Sequence, residues 1–265
     1  MRVVNLASGS KGNSTYIGHG VDNLLVDIGL SCMELEKRLK LINVNPECIT
    51  AILLTHNHID HIKGVVRFAN KYNIKVYAHR ECFEDVDLSN LEKKLIQIIG
   101  LEDFELGTIK VSSFELPHDA LKTIGFNFYC DGNKVSLLTD VGEVNDCVFH
   151  KLEGSNLVLI ESNYDEQMLM NGPYPLSLKK RIKSNMGHLS NCDCANIVVR
   201  LSKLGTKFFM LMHISENNNT PEIAYNNIMN VLYDGYGGEC ETRVFLSHQE
   251  RPSVNFTLKS RIKGE

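Results

Sequence analysis

No apolar stretch in this 265-residue sequence approaches the ~18 residues that a membrane span needs. Residues 1–17 hold only the short apolar run 3–7 before Ser, Gly, Lys and Asn, so the hydrophobic core of a signal peptide is missing too. A cytoplasmic protein with no membrane partner is expected. The eight cysteines form neither a CxxC nor a paired framework, which reads as reduced intracellular thiols. The nearest two, Cys192 and Cys194, fall at i, i+2 on an expected helix, where side chains diverge, so no shared metal is expected there. Basic excess is also lacking. With 28 Lys and Arg against 32 Asp and Glu the net charge is −4, which excludes a protein that coats nucleic acid non-specifically. A nuclease that concentrates its positive charge beside the active site stays allowed. No repeat, low-complexity run or Pro/Ser-rich linker divides the chain, so residues 1–265 are expected to form one domain.

What is present alternates between two periodicities. Strand patterning is expected at residues 3–6, 15–17, 24–28, 52–54, 75–78, 109–116, 124–130 and 134–138, several of them bounded by Gly, Asn or Asp. Helical spacing is expected at 33–41, 62–72, 177–183, 192–204 and 222–232; in the second, Ile62, Val65, Val66 and Ala69 share one face. Helices interspersed among strand-rich blocks predict an α+β fold, an αββα four-layer sandwich with two packed sheets inside.

The chemistry concentrates at His56-Asn57-His58-Ile59-Asp60-His61, between the apolar run 51–54 and the helix expected from Ile62. Imidazole and carboxylate together suit Zn²⁺, Mn²⁺ or Fe²⁺. A short loop at a strand end can aim His56 and His58 at one ion, Asp60 and His61 at another. Three more candidates, His118, Asp140 and His213, each follow an apolar strand-like run. The resulting HxHxDH loop with separate His, Asp and His ligands resembles the metallo-β-lactamase superfamily. The resemblance implies that His56, His58 and His118 hold one divalent ion, that Asp60, His61 and His213 hold a second, and that Asp140 bridges them. It also implies that Asp27, just beyond an apolar run, orients a ligand.

Further motifs narrow the resemblance: Ser8-Gly9-Ser10-Lys11-Gly12-Asn13-Ser14, Glu161-Ser162-Asn163-Tyr164-Asp165, Asn171-Gly172-Pro173-Tyr174-Pro175, Gly187-His188-Leu189-Ser190-Asn191, and the run from His213 through Asn217-Asn218-Asn219 to Glu222. Together they are similar to the WalJ/YycJ family of metallo-β-lactamase-fold exonucleases, which implies 5′-to-3′ degradation of duplex DNA in repair. The Glu161 and His188 pair also resembles tRNA 3′-processing relatives, where a carboxylate supports a histidine that protonates the departing oxygen. Catalysis is therefore expected of Asp60, His188 and Glu161, with a nucleic acid substrate, DNA before RNA.

The 8–14 loop lacks Walker spacing but offers backbone N–H groups, with Ser10 and Asn13, to a phosphate. Asn163 and the basic run Lys179, Lys180, Arg181 and Lys183 complete the expected substrate contacts. His19, His79 and His150 lie outside every motif and read as structural or surface residues; His248 could line the cleft or end a strand. Three other functions compete. An RNase Z-like enzyme would share the ligands, and a small-molecule metallohydrolase would leave the basic run unexplained. A non-catalytic signalling protein would let the ligands erode.

Overall fold

The computed structural model describes residues 1–238 and 240–260. Its first half runs β1 (Arg2–Ala7), β2 (Ser14–His19), β3 (Asp22–Val26), α1 (Cys32–Leu41), β4 (Ala51–Leu53), α2 (Ile59–Ile62), α3 (Val65–Tyr72), β5 (Lys75–Ala78) and β6 (Ile96–Ile98). The second half continues with β7 (Phe104–Leu106), β8 (Ile109–Leu116), β9 (Thr123–Cys130), β10 (Asn133–Leu138), α4 (Asp146–Leu152), β11 (Leu157–Glu161), α5 (Glu166–Asn171), α6 (Leu176–Ile182), α7 (Asn191–Lys203), β12 (Phe208–Met212), α8 (Pro221–Tyr236), β13 (Arg243–Leu246) and β14 (Phe256–Thr257). The described strands pair into two seven-stranded sheets, ordered β14-β1-β2-β3-β4-β5-β6 and β13-β12-β11-β10-β9-β8-β7.

Both sheets are covered on both faces, which is why their central strands read as continuous apolar runs rather than alternating ones. Along β11, Leu157 and Leu159 enter the core between the sheets, while Val158 and Ile160 face outward beneath the helices. In the inner core Val3, Ile17, Leu24, Val26 and Leu53 of the first sheet meet Val111, Phe126, Phe128 and Met210 of the second. Outside the first sheet, Leu35 and Leu39 of α1 and Val65 and Phe68 of α3 pack on Leu25 and Ile52. Outside the second, α4, α7 and α8 supply Phe149, Val198, Leu201, Ile228 and Leu232 against Val158, Ile160 and Phe209. The expected αββα layering is present, and each fully buried Leu or Phe of these layers contributes about 1.5–3 kcal/mol.

The helix expected over 62–72 is broken into α2 and α3 at Gly64. A Cβ there would stand 2.2 Å from the Leu30 carbonyl oxygen, so only glycine lets the turn pack against the strand-end loop after β3. Thr220 accepts a hydrogen bond from Ile223 N at the start of α8, and Gly237 in the left-handed region ends it four residues beyond the expected stop at 232. The short elements α4, α5, β6, β7, β11, β13 and β14 are not among the expected ones; none is longer than seven residues, too short to display a period. On α7 Cys192 is exposed and Cys194 buried, the divergence expected of i, i+2. No helix among the described residues is long and apolar enough to cross a membrane.

Candidate metal centre

All the candidate ligands lie at the carboxyl ends of strands, on one rim of the sandwich. Asp27 follows β3, the 55–61 loop follows β4, and His118 and Asp140 follow β8 and β10. Glu161 ends β11, and His213 follows β12. Strands β3 and β4 run parallel, as do β10, β11 and β12, so their ends converge at the same side. The chain turns abruptly at three of these points: Asp27, Asp140 and His213 have φ of 60°, 55° and 51°, a left-handed conformation uncommon outside glycine.

Asp27 organises the metal loop from beneath. Its carboxylate accepts hydrogen bonds from Thr55 N, Thr55 Oγ1 and His61 Nδ1, each at 2.8 Å. Because the Thr55 hydroxyl donates to Asp27, its lone pairs are left to accept from His56 Nδ1 at 3.0 Å. That fixes the His56 tautomer and turns an unprotonated Nε2 into the site. His118 is fixed in the same way, by Nδ1 donating to the Gly187 carbonyl at 2.9 Å. The Nε2 atoms of both residues are buried without a hydrogen-bond partner. Asp119 Oδ1 lies 3.3 Å from His118 Nε2 but out of hydrogen-bonding line. Orphaned buried lone pairs are costly unless something electrophilic meets them, and a metal ion fits.

Glu161, fully buried, is the second organiser. Its Oε1 accepts from His213 Nδ1 at 2.7 Å and from His188 Nδ1 at 2.9 Å. Its Oε2 accepts from Val141 N at 2.9 Å and Leu189 N at 3.2 Å. Asp140 lies between the halves, with Oδ2 3.0 Å from His61 Nε2 and Oδ1 3.2 Å from His213 Nδ1. Asp60 Oδ2 faces His61 Nε2 at 3.6 Å and His213 Nε2 at 3.8 Å. Donor atoms of His56, His58 and His118 lie within 4.8 Å of one another, as do those of His56, His61 and Asp140 and those of Asp140, Glu161, His188 and His213.

The electrostatics divide the cluster. Burial, reinforced by the charge of His61, holds His56 well below its ordinary pKa; burial and His118 lower His58. Both are ready as neutral ligands. For His61, His188 and His213 burial also disfavours the proton, but the carboxylates outweigh it. Asp140 and Asp27 raise His61, Glu161 raises His188, and Asp140 with Glu161 raises His213 to about 9. In return, although burial opposes it, His213 and His61 hold Asp140 well below the usual carboxylate range, and His188 and His213 lower Glu161. Protons on imidazoles thus balance buried carboxylates, a balance that divalent cations can take over.

The expected substrate contacts divide differently. Asn13 is buried, donating to Gly9 O and Asp60 Oδ2 and accepting from Gly9 N, so it shapes the loop instead of facing a phosphate. The N–H groups of Gly9, Lys11 and Gly12 are likewise spent on internal acceptors, while Ser10 is exposed at the loop tip. Asn163 donates to the His213 carbonyl at 2.8 Å and braces that turn. Lys179 is buried, its Nζ donating to Met170 O and Gly172 O, both at 2.7 Å, because those carbonyls end the short α5 without other donors. Lys180, Arg181 and Lys183 are exposed; Lys183 pairs with Glu166 at 3.1 Å, and Arg181 pairs with Asp119 beside His118, which puts its guanidinium at the mouth of the centre. His248 lines a neighbouring cavity of about 400 Å³ with Ser8, Ser215 and Glu222.

Three contributors are not evident from the sequence. Thr55 links Asp27 to His56, Asp119 joins Arg181 to the centre, and the Ser8 hydroxyl accepts from His213 N at 2.7 Å. Only Ser8 lies in a motif that marks it; Thr55 and Asp119 do sit next to ligands, but adjacency alone does not distinguish them.

Comparison with known proteins places this geometry. The family described as the beta-lactamase superfamily domain matches residues 22–214. The exodeoxyribonuclease YycJ of Bacillus anthracis is 37% identical over 236 residues, covering 88% of this chain and 89% of its own length. The exodeoxyribonuclease WalJ of Streptococcus pneumoniae is 38% identical over 234 residues, 86% of each chain. The crystal structure of Zn²⁺-bound PqqB from Methylobacterium extorquens, at 16% identity, matches 97% of this chain and all of its own with a TM-score of 0.71, a likeness of fold. Sequence and fold agree on the lineage: the chain belongs to the metallo-β-lactamase superfamily, within the family of the YycJ and WalJ proteins.

Proposed function

We propose that the chain is a dinuclear-metal phosphodiesterase, a cytoplasmic exonuclease that degrades duplex DNA from its 5′ end during repair. His56, His58 and His118 would hold one divalent ion and Asp60, His61 and His213 another, with Asp140 between them, Mn²⁺ and Zn²⁺ being the candidates and Fe²⁺ also compatible. Bound there, the ions supply acidified water and positive charge where the phosphate becomes more negative.

The observation that carries the reading is the single Glu161 oxygen holding both His213, on the metal side, and His188, whose side chain is one-fifth exposed to the cleft. With Nδ1 committed to Glu161, the ring of His188 keeps Nε2 as its remaining donor. Burial disfavours a charged ring there, but the same carboxylate outweighs it and raises its pKa, which favours the protonated form that a general acid needs. As a water oxygen bonds to phosphorus and releases its proton to solvent, His188 gives its own proton to the 3′ oxygen whose bond to phosphorus breaks; the 3′ oxygen leaves as a hydroxyl and the shortened strand keeps a 5′-phosphate. Arg181, at the mouth beside Asp119, meets the DNA backbone. Two relatives named as exodeoxyribonucleases support DNA as the substrate.

Elemental analysis paired with cleavage of 5′-labelled and 3′-labelled duplex DNA and RNA tests this. The 5′ label should be released first from duplex DNA, and Asp140→Ala should lose both that activity and the metal of the centre. Preferential cleavage of RNA, or wild-type metal content in Asp140→Ala, would overturn it.

A further inference from the structure

His19 belongs to no motif, yet in the fold it has company. It is the last residue of β2, and beside it stand Cys130, the last residue of β9, and Asp131 in the following turn. One donor atom from each of the three lies within 4.8 Å of the others. We propose that His19, Cys130 and Asp131 form a further metal site, for a zinc-like divalent cation, at the end of the sandwich opposite the candidate catalytic centre.

The donor set is the first argument. Imidazole, thiolate and carboxylate are the three side-chain types zinc takes, and three protein ligands plus water complete a tetrahedron. Spacing is the second. His19 Nε2 and Asp131 Oδ2 are 3.6 Å apart, too far for a hydrogen bond. A tetrahedron with bonds of about 2.1 Å has edges of roughly 3.4 Å, so the separation suits two ligands of one ion. The turn that carries Asp131 is preorganised. Asp131 and Gly132 both have positive φ, 51° and 69°, in the two-residue turn that joins the paired Cys130 and Asn133. Such a primed turn is rigid and matched to strand twist. His19 sits in the opposed hairpin of the other sheet, paired with Asp22.

Charge favours a cation as well. Asp22 and Asp131 both stand near; the carboxylate of Asp22 accepts from Thr108 N at 2.7 Å and Thr108 Oγ1 at 2.6 Å, so it is held in place without being neutralised. The opposing positive group is the chain's amino terminus, which donates to Leu258 O at 2.8 Å. Without a cation, burial and Asp131 push the Cys130 thiol above its ordinary pKa, so metal entry displaces one proton from sulfur. The eight residues of β9, at ~3.3 Å each, separate this site from the catalytic rim by roughly 20–25 Å. An ion here shares no ligand with that centre; it ties the hairpins of the two sheets together.

Cobalt substitution separates the two sites, because the candidate catalytic centre contains no cysteine. In the full chain loaded to saturation with Co²⁺ under reducing conditions, thiolate-to-cobalt charge-transfer absorption should appear with the intensity of one cobalt–thiolate bond per chain. Among the described residues no other cysteine joins a three-donor cluster. Cys130→Ser should abolish the band while leaving nuclease activity and the other bound ions unchanged, and Zn²⁺ should raise the wild-type Tm more than that of the variant. His19→Ala, at a position whose side chain is 26% exposed, should weaken cobalt binding at this site at least tenfold and carries the test if the serine variant fails to fold. Absence of the band, or its survival in Cys130→Ser, overturns the proposal.

Discussion

Replacing Glu161 by glutamine tests how the centre is built, because one buried carboxylate serves two histidines. Its two oxygens accept four hydrogen bonds, from His188 and His213 on one side and from the Val141 and Leu189 amides on the other. An amide keeps one acceptor oxygen and gains an NH₂ that only donates. Whichever way the side chain turns, donors then face donors. If the NH₂ meets the histidines, both lose their acceptor; if it meets the backbone, two buried N–H groups are stranded, at about 1–3 kcal/mol each. The neutral amide also removes the charge that raises the pKa of His188. Loss of the partner behind a metal-bound histidine ordinarily weakens metal affinity 10–100-fold, about 1.4–2.8 kcal/mol. Glu161→Gln should therefore weaken metal binding by that factor and slow cleavage together. His188→Ala should keep its metal and lose roughly 10²–10⁴-fold in rate on DNA, the range of general acid catalysis, with far less loss on a p-nitrophenyl phosphodiester whose leaving group needs no proton. Chelator competition and rates on both substrates give the readouts. Wild-type metal affinity in Glu161→Gln would refute the shared-carboxylate argument, and equal losses of His188→Ala on the two substrates would refute its role as acid.

The basic run should divide by geometry. Neutralising Lys180, Arg181 and Lys183 should lower the slope of log affinity for DNA against log salt by at most about 3, near 0.9 for each phosphate that a side chain no longer neutralises. Lys179→Ala should leave the slope unchanged and lower Tm, because its ammonium is spent inside the fold; a slope change in Lys179→Ala would contradict this. A second expectation concerns pH. The raised pKa values of His213, to about 9, and of His61 and His188 stabilise the metal-free fold while those protons stay bound. That contribution is complete below about 6.5, the ordinary histidine value, and is lost as pH climbs toward 9. The Tm of the metal-free protein should fall across that window and that of the loaded protein should hold, since bound cations have already displaced the protons; parallel declines would refute the account.

The metal loop is legible because its chemistry is local: three histidines and an aspartate within six positions need no fold to be noticed. His118, Asp140 and His213 are legible as residues that follow apolar strands, since a strand end is where a side chain can leave a packed sheet for a cleft. Side chains used internally are not legible. Asn13 and Asn163 look like ligands of a phosphate in a sequence; whether an amide faces solvent or a neighbouring carbonyl is decided by loop closure. Lys179 differs from Lys180 only by one helical step, about 100°, which turns one side chain onto the carbonyls that end α5 and the other into solvent. The double duty of Glu161 is hidden for a related reason. Its pairing with His188 is written in neighbouring motifs, whereas its bond to His213 depends on the parallel register of β11 with β12, which sets Glu161 opposite Met212 and so beside His213.

The turns at the rim are strained where strands end. Asp27, Asp140 and His213 each leave a strand and must swing a donor inward at once, within one or two residues of the last ladder hydrogen bond. The left-handed conformation reverses direction in one step, at a cost of about 1–2 kcal/mol for each residue with a Cβ. Glycine would relieve that cost but would remove the carboxylate or imidazole. Aspartate tolerates the conformation better than most residues, and the packed strands on either side hold histidine in it. At these three positions the strain falls on a side chain aimed at the centre, and it is held by the same buried hydrogen bonds, Thr55 to Asp27, Thr139 to Asp140 and the His213 amide to Ser8, that aim those side chains.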